Sequence, residues 1–535
     1  MTQGEEQEPH DRPTTVLVSG ATGGLGIHVV RILVQSGYHV RAIDRRACEE
    51  VHRTSLLDDM ESVDWHYEVA EDNALRKLLT GCEAVVHCAG VTSLSAPTFR
   101  LRQLNCELSR KLFQLSTDAG VEHFVHISCA TVYRADSGVC TEESATEAYN
   151  AFEESKLAAE ETLSKLAESL EDAPSLTILR PGLLYGPGCT TMGAGMIPLP
   201  AILRGISRYL PALSGGPRTN WCHVGDAARA VEVVLGHRDA RDQIFNVADE
   251  NALSFGEVLT SIIEGYGIDL GPSVRMPTLT LWTLLGPLLD KDWAFEQMRS
   301  VLQFLWRRVQ SAHGIDSPLS PRLNRDALFY LRDDAIVVAD KLRALGWAPQ
   351  WPDFRRGIAA TIRWYQRQGW APRFSLDAMA ERRSTSLDSD RFRFGERLHG
   401  VLRREKSKPS QPPVDLDFEI LWPTFPWPRS KTEGHLNGTV TIPEIATASP
   451  VKGTVRVHWF PTPSIRYQFG FRDNDDDACR FLGTRQFAPS APLDSLLSLR
   501  GHIVDSRGQP IGELIARSTN GVLPLLTSSP LSDRS

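Results

Sequence analysis

Three glycines at three-residue intervals, Gly20, Gly23 and Gly26, stand between an apolar β-branched run, Thr15 to Ser19, and a helix-periodic segment, Ile27 to Ser36. A strand that passes directly into a helix needs Gly20 for the tight turn, Gly23 so that backbone can approach a pyrophosphate, and Gly26 so that helix packs closely on strand. Gly24 and Leu25 complete the turn, and the first N–H groups of the helix offer the positive end of its dipole to an anion. This context predicts a dinucleotide site built from Gly20, Gly23, Gly24, Leu25 and Gly26. Asp44 follows Gly26 by eighteen residues, at the end of the strand His39 to Ile43. A carboxylate there accepts hydrogen bonds from ribose hydroxyls, which favours NAD over NADP. Arg45 and Arg46 come next and are the groups that could grip a 2′-phosphate instead.

Over the first 250 residues such strands alternate with helical periodicity. Ala84 to His87, Phe124 to Ile127 and Leu176 to Leu179 read as strands, and Asn105 to Ala119 and Ala151 to Leu170 as helices. That alternation predicts an α/β, Rossmann-type, doubly wound parallel sheet. The expected organisation is a disordered leader over 1–13 and a dinucleotide-binding domain over 14–371, with a helical substrate cap mainly over 250–371. The cap ends in amphipathic helices at Ala339 to Gly346 and Phe354 to Gln368. Residues 372–412, rich in Arg, Ser and Pro, read as a linker. Residues 413–520 carry strand-like runs with short turns and predict a C-terminal antiparallel β-sandwich or barrel. Residues 521–535 read as a disordered tail.

A net charge of −8 gives no electrostatic case for nucleic acid. The nine cysteines lack metal-ligand spacing, so neither a metal nor a disulfide framework is expected, and free thiols suit a cytoplasmic protein. The acidic cluster Asp473, Asp475, Asp476 and Asp477 reads as a solvated hairpin tip rather than a calcium loop. No apolar run reaches transmembrane length. The nearest, Leu279 to Leu289, is broken by Gly286-Pro287 and reads as a buried cap helix, with peripheral membrane contact as the alternative.

Further segments fall in order along the chain: His87-Cys88-Ala89-Gly90, Asn105, His126-Ile127-Ser128-Cys129-Ala130-Thr131-Val132-Tyr133, Arg180-Pro181-Gly182-Leu183-Leu184-Tyr185-Gly186-Pro187-Gly188, Cys222 to Ala230 and Leu342 to Pro349. With the glycine turn they make residues 14 to 371 resemble the extended short-chain dehydrogenase/reductase family, in particular its NAD-dependent epimerase/dehydratase and 3β-hydroxysteroid dehydrogenase branch. The resemblance implies that Ala89 and Pro181 pack beside the cofactor. It also implies that Lys156 binds the nicotinamide-side ribose and lowers the pKa of a catalytic tyrosine four residues before it.

That tyrosine is replaced. The segment 149–160 reads Tyr-Asn-Ala-Phe-Glu-Glu-Ser-Lys-Leu-Ala-Ala-Glu, with Phe152 at the acid's position. A benzyl side chain transfers no proton. Cys129 stands where the resemblance implies a serine or threonine, and a thiol is the weaker donor. Glu68 stands where the family has an aspartate beside adenine. The candidate catalytic set is therefore Lys156, Cys129 and Tyr149, the last reaching in if its helix begins early enough to place it one turn before Phe152. Tyr133 and Tyr185 are weaker candidates. The C-terminal module is similar to an accessory β-domain found beside some sterol- and lipid-oxidising flavoenzymes. The leading expectation is an NAD-dependent oxidoreductase or epimerase acting on a hydroxyl or ketone of an apolar, lipid- or steroid-like small molecule, compatible with a homodimer. The alternative is a catalytically silent NAD-binding sensor or scaffold.

Overall fold

The computed structural model describes residues 15–47, 54–56, 60, 62–68, 71–134, 138–204, 210–275, 292–321, 333–374, 392–404, 413–422, 433–458, 464–486, 495 and 497–518. The expected leader 1–13, the apolar run 279–289 and the tail 521–535 lie outside them. The chain divides into two compact units on either side of the Arg373–Phe374 bond.

In the first unit, β1 (Thr15–Ser19), β2 (His39–Asp44), β3 (Asp64–Tyr67), β4 (Ala84–His87), β5 (His123–Ile127), β6 (Ser175–Pro181) and β7 (Gln243–Val247) form one seven-stranded sheet. Its spatial order is β7-β6-β5-β4-β1-β2-β3 and every pair is parallel. The order reverses at β1, whose Ser19 is in register with Ile43 on one side and His87 on the other. A crevice at the carboxyl ends of strands, where the order reverses, is where such sheets bind ligands. Strands β4 and β5 are buried along their whole length, so neither shows apolar/polar alternation, and His87, His123 and His126 are buried among their apolar residues. The principal flanking helices are α1 (Gly26–Gln35), α2 (Asp72–Leu79), α3 (Leu108–Asp118), α4 (Ala151–Ser169) and α5 (Val224–Gly236). Beyond β7, α6 (Phe255–Gly265) packs against α7 (Phe354–Arg367).

The second unit is a closed barrel of eight antiparallel strands. These are β8 (Phe392–Arg403), β9 (Pro413–Trp422), β10 (Glu433–Ile442), β11 (Ala446–His458), β12 (Ser464–Arg472), β13 (Ala478–Gln486), β14 (Ser498–Val504) and β15 (Pro510–Ser518). Closure is made by β8 on β15, with Leu398 opposite Ser518. This decides the sandwich-or-barrel alternative for the barrel. It also corrects the linker: residues 392–403 are a strand. Within it Glu396 and Leu398 point in while Arg397 and His399 point out, and a glutamate on the inner face masks the alternation. Glu396 is paired inside with Arg485 and accepts from the Tyr467 hydroxyl at 3.0 Å. Outward positions such as Arg456, Arg466 and Gln468 are polar and the inner face is apolar, the reverse of a lipid-facing barrel. Asp473 to Asp477 form the β12–β13 hairpin tip, where the Asp473 carboxylate accepts from the backbone N–H groups of Asp475 and Asp477. Among the described residues no cluster fits a metal ion, and no helix is long and apolar enough to cross a membrane.

Candidate functional site

The glycine turn has the close contacts that the spacing requires. Gly20 has φ of +69°, and a Cβ there would stand 2.6 Å from the backbone of Ala89. A Cβ on Gly23 would lie 2.9 Å from the Gly20 carbonyl oxygen. Leu25 is helical in conformation and no side chain caps the start of α1, so its amides remain available to a phosphate. Asp44 ties the turn to β2: Thr22 N–H donates to Oδ2 at 2.9 Å and Arg45 N–H to Oδ1 at 2.6 Å. Arg45 and Arg46 are exposed on the outer side. Glu68 takes a left-handed φ of +57° as its N–H reaches the Asp44 carbonyl at 3.0 Å.

At the next strand ends the backbone of Ala89 and Gly90 comes close to Lys156 and Asn105. A Cβ on Gly90 would meet Asn105 Oδ1 at 2.9 Å and stand 3.6 Å from Lys156 Nζ, so the bare glycine lets this strip of backbone lie close to the ammonium. Asn105 sits in a π-helical turn, Arg102–Glu107, immediately before α3. Its amide accepts from Val91 N–H at 2.7 Å and donates to Val91 O and Ser155 Oγ. One extra residue in a turn is a recurrent device at functional sites, and here it pins the loop after β4 to α4. Lys156 is buried, donates to the Ile127 carbonyl at 2.8 Å, and has its pKa lowered by burial against the opposing pull of Cys129, Glu160 and Cys88. The glycine turn, Asp44, the 89–90 backbone and Lys156 fit a dinucleotide lying across the β1/β4 crevice.

Phe152 is 2% exposed and shares a cluster with Leu101, Cys129 and Val132, against which Val91, Leu94 and Ala96 pack half-buried. The Cys129 thiol contacts Thr131 Oγ1 at 3.2 Å, and burial pushes its pKa up to about 11. Thr131, missed in the sequence, is half-exposed and brings its hydroxyl against the Cys129 thiol. Tyr149 is not on the helix. Asn150 caps α4 by accepting from Glu153 N–H at 3.0 Å, while Glu153 accepts from Tyr149 N–H at 2.8 Å. The Asn-x-x-Glu spacing is the sequence signal for that start. The Tyr149 hydroxyl instead donates to Glu147 at 3.4 Å, so the one-turn relation to Phe152 does not hold.

Other candidates are engaged elsewhere. The Tyr133 hydroxyl accepts from Arg180 at 3.0 Å and donates to Asn246 at 2.7 Å, and Arg180 also forms a buried two-point pair with Glu160. Tyr185 is enclosed by Trp221, His223 and Phe354. Pro181 ends β6, and its neighbour Gly182 donates to Val247 O. The segments Cys222–Ala230 and Leu342–Pro349 come together at Asp226, which accepts from the backbone of Gln350 at 2.7 Å and of Trp351 at 3.0 Å.

Residues 16–248 match the model of the NAD dependent epimerase/dehydratase family. The chain is 28% identical over 347 residues to a ceramide reductase of Caulobacter vibrioides, covering 64% of this chain and 98% of that protein. It is 26% identical over 309 residues to a UDP-glucose 4-epimerase of Vibrio cholerae, covering 54% of this chain and 87% of that one. Against the uncharacterized protein YbjS of Escherichia coli it is 30% identical over 177 residues, covering 32% of this chain and about half, 51%, of that relative. Over residues 16–248 the chain is thus similar to the NAD dependent epimerase/dehydratase family, with Phe152 at the position where the sequence resemblance calls for an acid.

Proposed function

We propose that the protein is an NAD-dependent oxidoreductase acting on a hydroxyl or ketone of a lipid- or steroid-like molecule. The observation that supports the substrate class is the half-buried apolar strip Val91, Leu94 and Ala96, backed by the buried Leu101, Val132 and Phe152 around Cys129. It offers aliphatic and aromatic surface where a sugar would need hydrogen bonds. The likeness to a ceramide reductase over nearly that protein's full length supports the same class. Bound NAD would exchange a hydride with the substrate carbon, while the proton on the substrate oxygen would pass to or from water. Lys156, Asp44 and the glycine turn hold the cofactor, and the Thr131 hydroxyl, backed by the Cys129 thiol, hydrogen-bonds the substrate oxygen. The specific observation behind the silent alternative is that Phe152 and Cys129 are both sealed in one apolar cluster. The test is to titrate the full chain with NAD and NADH, then follow NADH absorbance with long-chain ketones and ceramides, hydroxysteroids and UDP-sugars. Turnover of a lipid that Thr131→Val abolishes carries the proposal. Cofactor binding without turnover on any class selects the silent reading, and turnover of UDP-sugars alone overturns the substrate class.

A further inference from the structure

The buried side of α7 is fixed by Phe354, Ile358, Ile362, Trp364 and Tyr365, so the helix cannot roll. Its outer side carries Arg355, Arg356, Arg363 and Arg367, and Arg373 follows; all five are exposed. Arg355 has a long ion pair with Glu257 at 3.7 Å. Among the described residues no carboxylate pairs with Arg356, Arg363, Arg367 or Arg373. Two open cavities, of about 530 Å³ and about 240 Å³, adjoin along this side and share Arg363 in their walls. Trp351 lines the larger one beside Arg355 and Arg356. From Arg356 to Arg367 the helix rises about 16 Å, longer than the ~8 Å over which salt screens at physiological strength. The strip therefore acts locally as a cationic surface even though the chain as a whole carries −8.

We propose that this side of α7 docks on an anionic phospholipid bilayer. A bilayer presents phosphates spaced along a plane, which matches a line of separated cations better than a single small anion does, and Trp351 supplies the ring that favours the headgroup level. The inference does not depend on the substrate reading, since it concerns where the protein sits and not what it turns over. The experiment is co-sedimentation of the full chain with vesicles of phosphatidylcholine alone or mixed with phosphatidylglycerol, with NAD binding measured in parallel. Each arginine near such a surface changes partitioning about five-fold. R356E/R363E/R367E should thus lower partitioning onto the anionic vesicles at least about 100-fold while NAD affinity stays constant. R356K/R363K/R367K should keep it within a few-fold, and added salt should weaken it. Equal binding to neutral vesicles, undiminished binding by the glutamate variant, or loss of binding in the lysine variant would overturn the proposal. So would capture by soluble polyglutamate in place of the anionic vesicles, which would mean an acidic polypeptide partner.

Discussion

Phe152 and Cys129 lie in one buried cluster, although they come from α4 and from the loop after β5. Two positions expected to be a phenol and a hydroxyl have become a matched apolar pair. Either change alone would leave a buried polar group facing a side chain that cannot satisfy it, at a cost of about 1–3 kcal/mol. Together they pack.

That pairing predicts unequal single and double variants. Phe152→Tyr should lower unfolding stability by about 1–2 kcal/mol, because the new hydroxyl has no good acceptor. Phe152→Tyr with Cys129→Ser should recover part of the loss and raise NADH-linked turnover at least ~10-fold over the single variant. Denaturant melts and absorbance assays check both, and additive effects of the two changes would contradict the coupling.

Gly20→Ala should abolish NAD binding and destabilise the first unit by at least about 2 kcal/mol. The positive φ and the 2.6 Å approach to Ala89 act together here. Gly37→Ala, also at positive φ but with nothing within 4 Å of its Cβ, should keep NAD binding, which separates strain alone from the cradle. Isothermal titration and thermal melts are the readouts.

Asp44→Ser should shift cofactor preference. Removing the carboxylate removes the ribose acceptor and leaves the exposed Arg45 and Arg46 next along the chain. NAD affinity should fall about 10-fold and NADP affinity rise by a similar factor, each equivalent to about 1.4 kcal/mol. An unchanged ratio would mean that Asp44 serves only to anchor the turn through Thr22.

The pH dependence of stability should carry the mark of Asp249. Burial pushes its carboxyl up to about 8, against hydrogen bonds from Trp221 N–H and Asn220, and Oδ2 has no partner. A raised folded pKa means that the native state holds a proton the unfolded state has lost, so this contribution is complete below about 4 and disappears as pH rises through about 8. Asp249→Asn should flatten the melting temperature between those limits. On the acid side burial holds His87 and His223 near 3 and His123 near 4. They favour the folded state above about 6.5 and withdraw that support as pH falls toward those values. A variant melting curve parallel to that of the parent across the whole range would refute the Asp249 assignment.

Legibility in the sequence followed locality. The glycine turn, Asp44 and the buried strands are set by neighbours a few residues away, so spacing and hydrophobic pattern suffice to find them. Strand β8 was hidden because its inward Glu396 is made tolerable by Arg485, eighty-nine residues later, and no local pattern announces such a partner. The start of α4 at Ala151 is written in Asn150 and Glu153, a local signal, and the helix expected from Ala151 begins there. The Asp226 clamp on Gln350 and Trp351, and the contact of Phe152 with the 129 region, join parts of the chain that only the tertiary fold brings together.

Closure of the barrel through its first and last strands has a consequence for biosynthesis. Until the residues up to Ser518 have left the ribosome, β8 and β14 each expose an unpaired edge, and the Glu396–Arg485 pair has no sealed interior to occupy. The module therefore matures in one late event, and a premature stop that removes β15 leaves an open ribbon with two adhesive edges rather than a shortened domain.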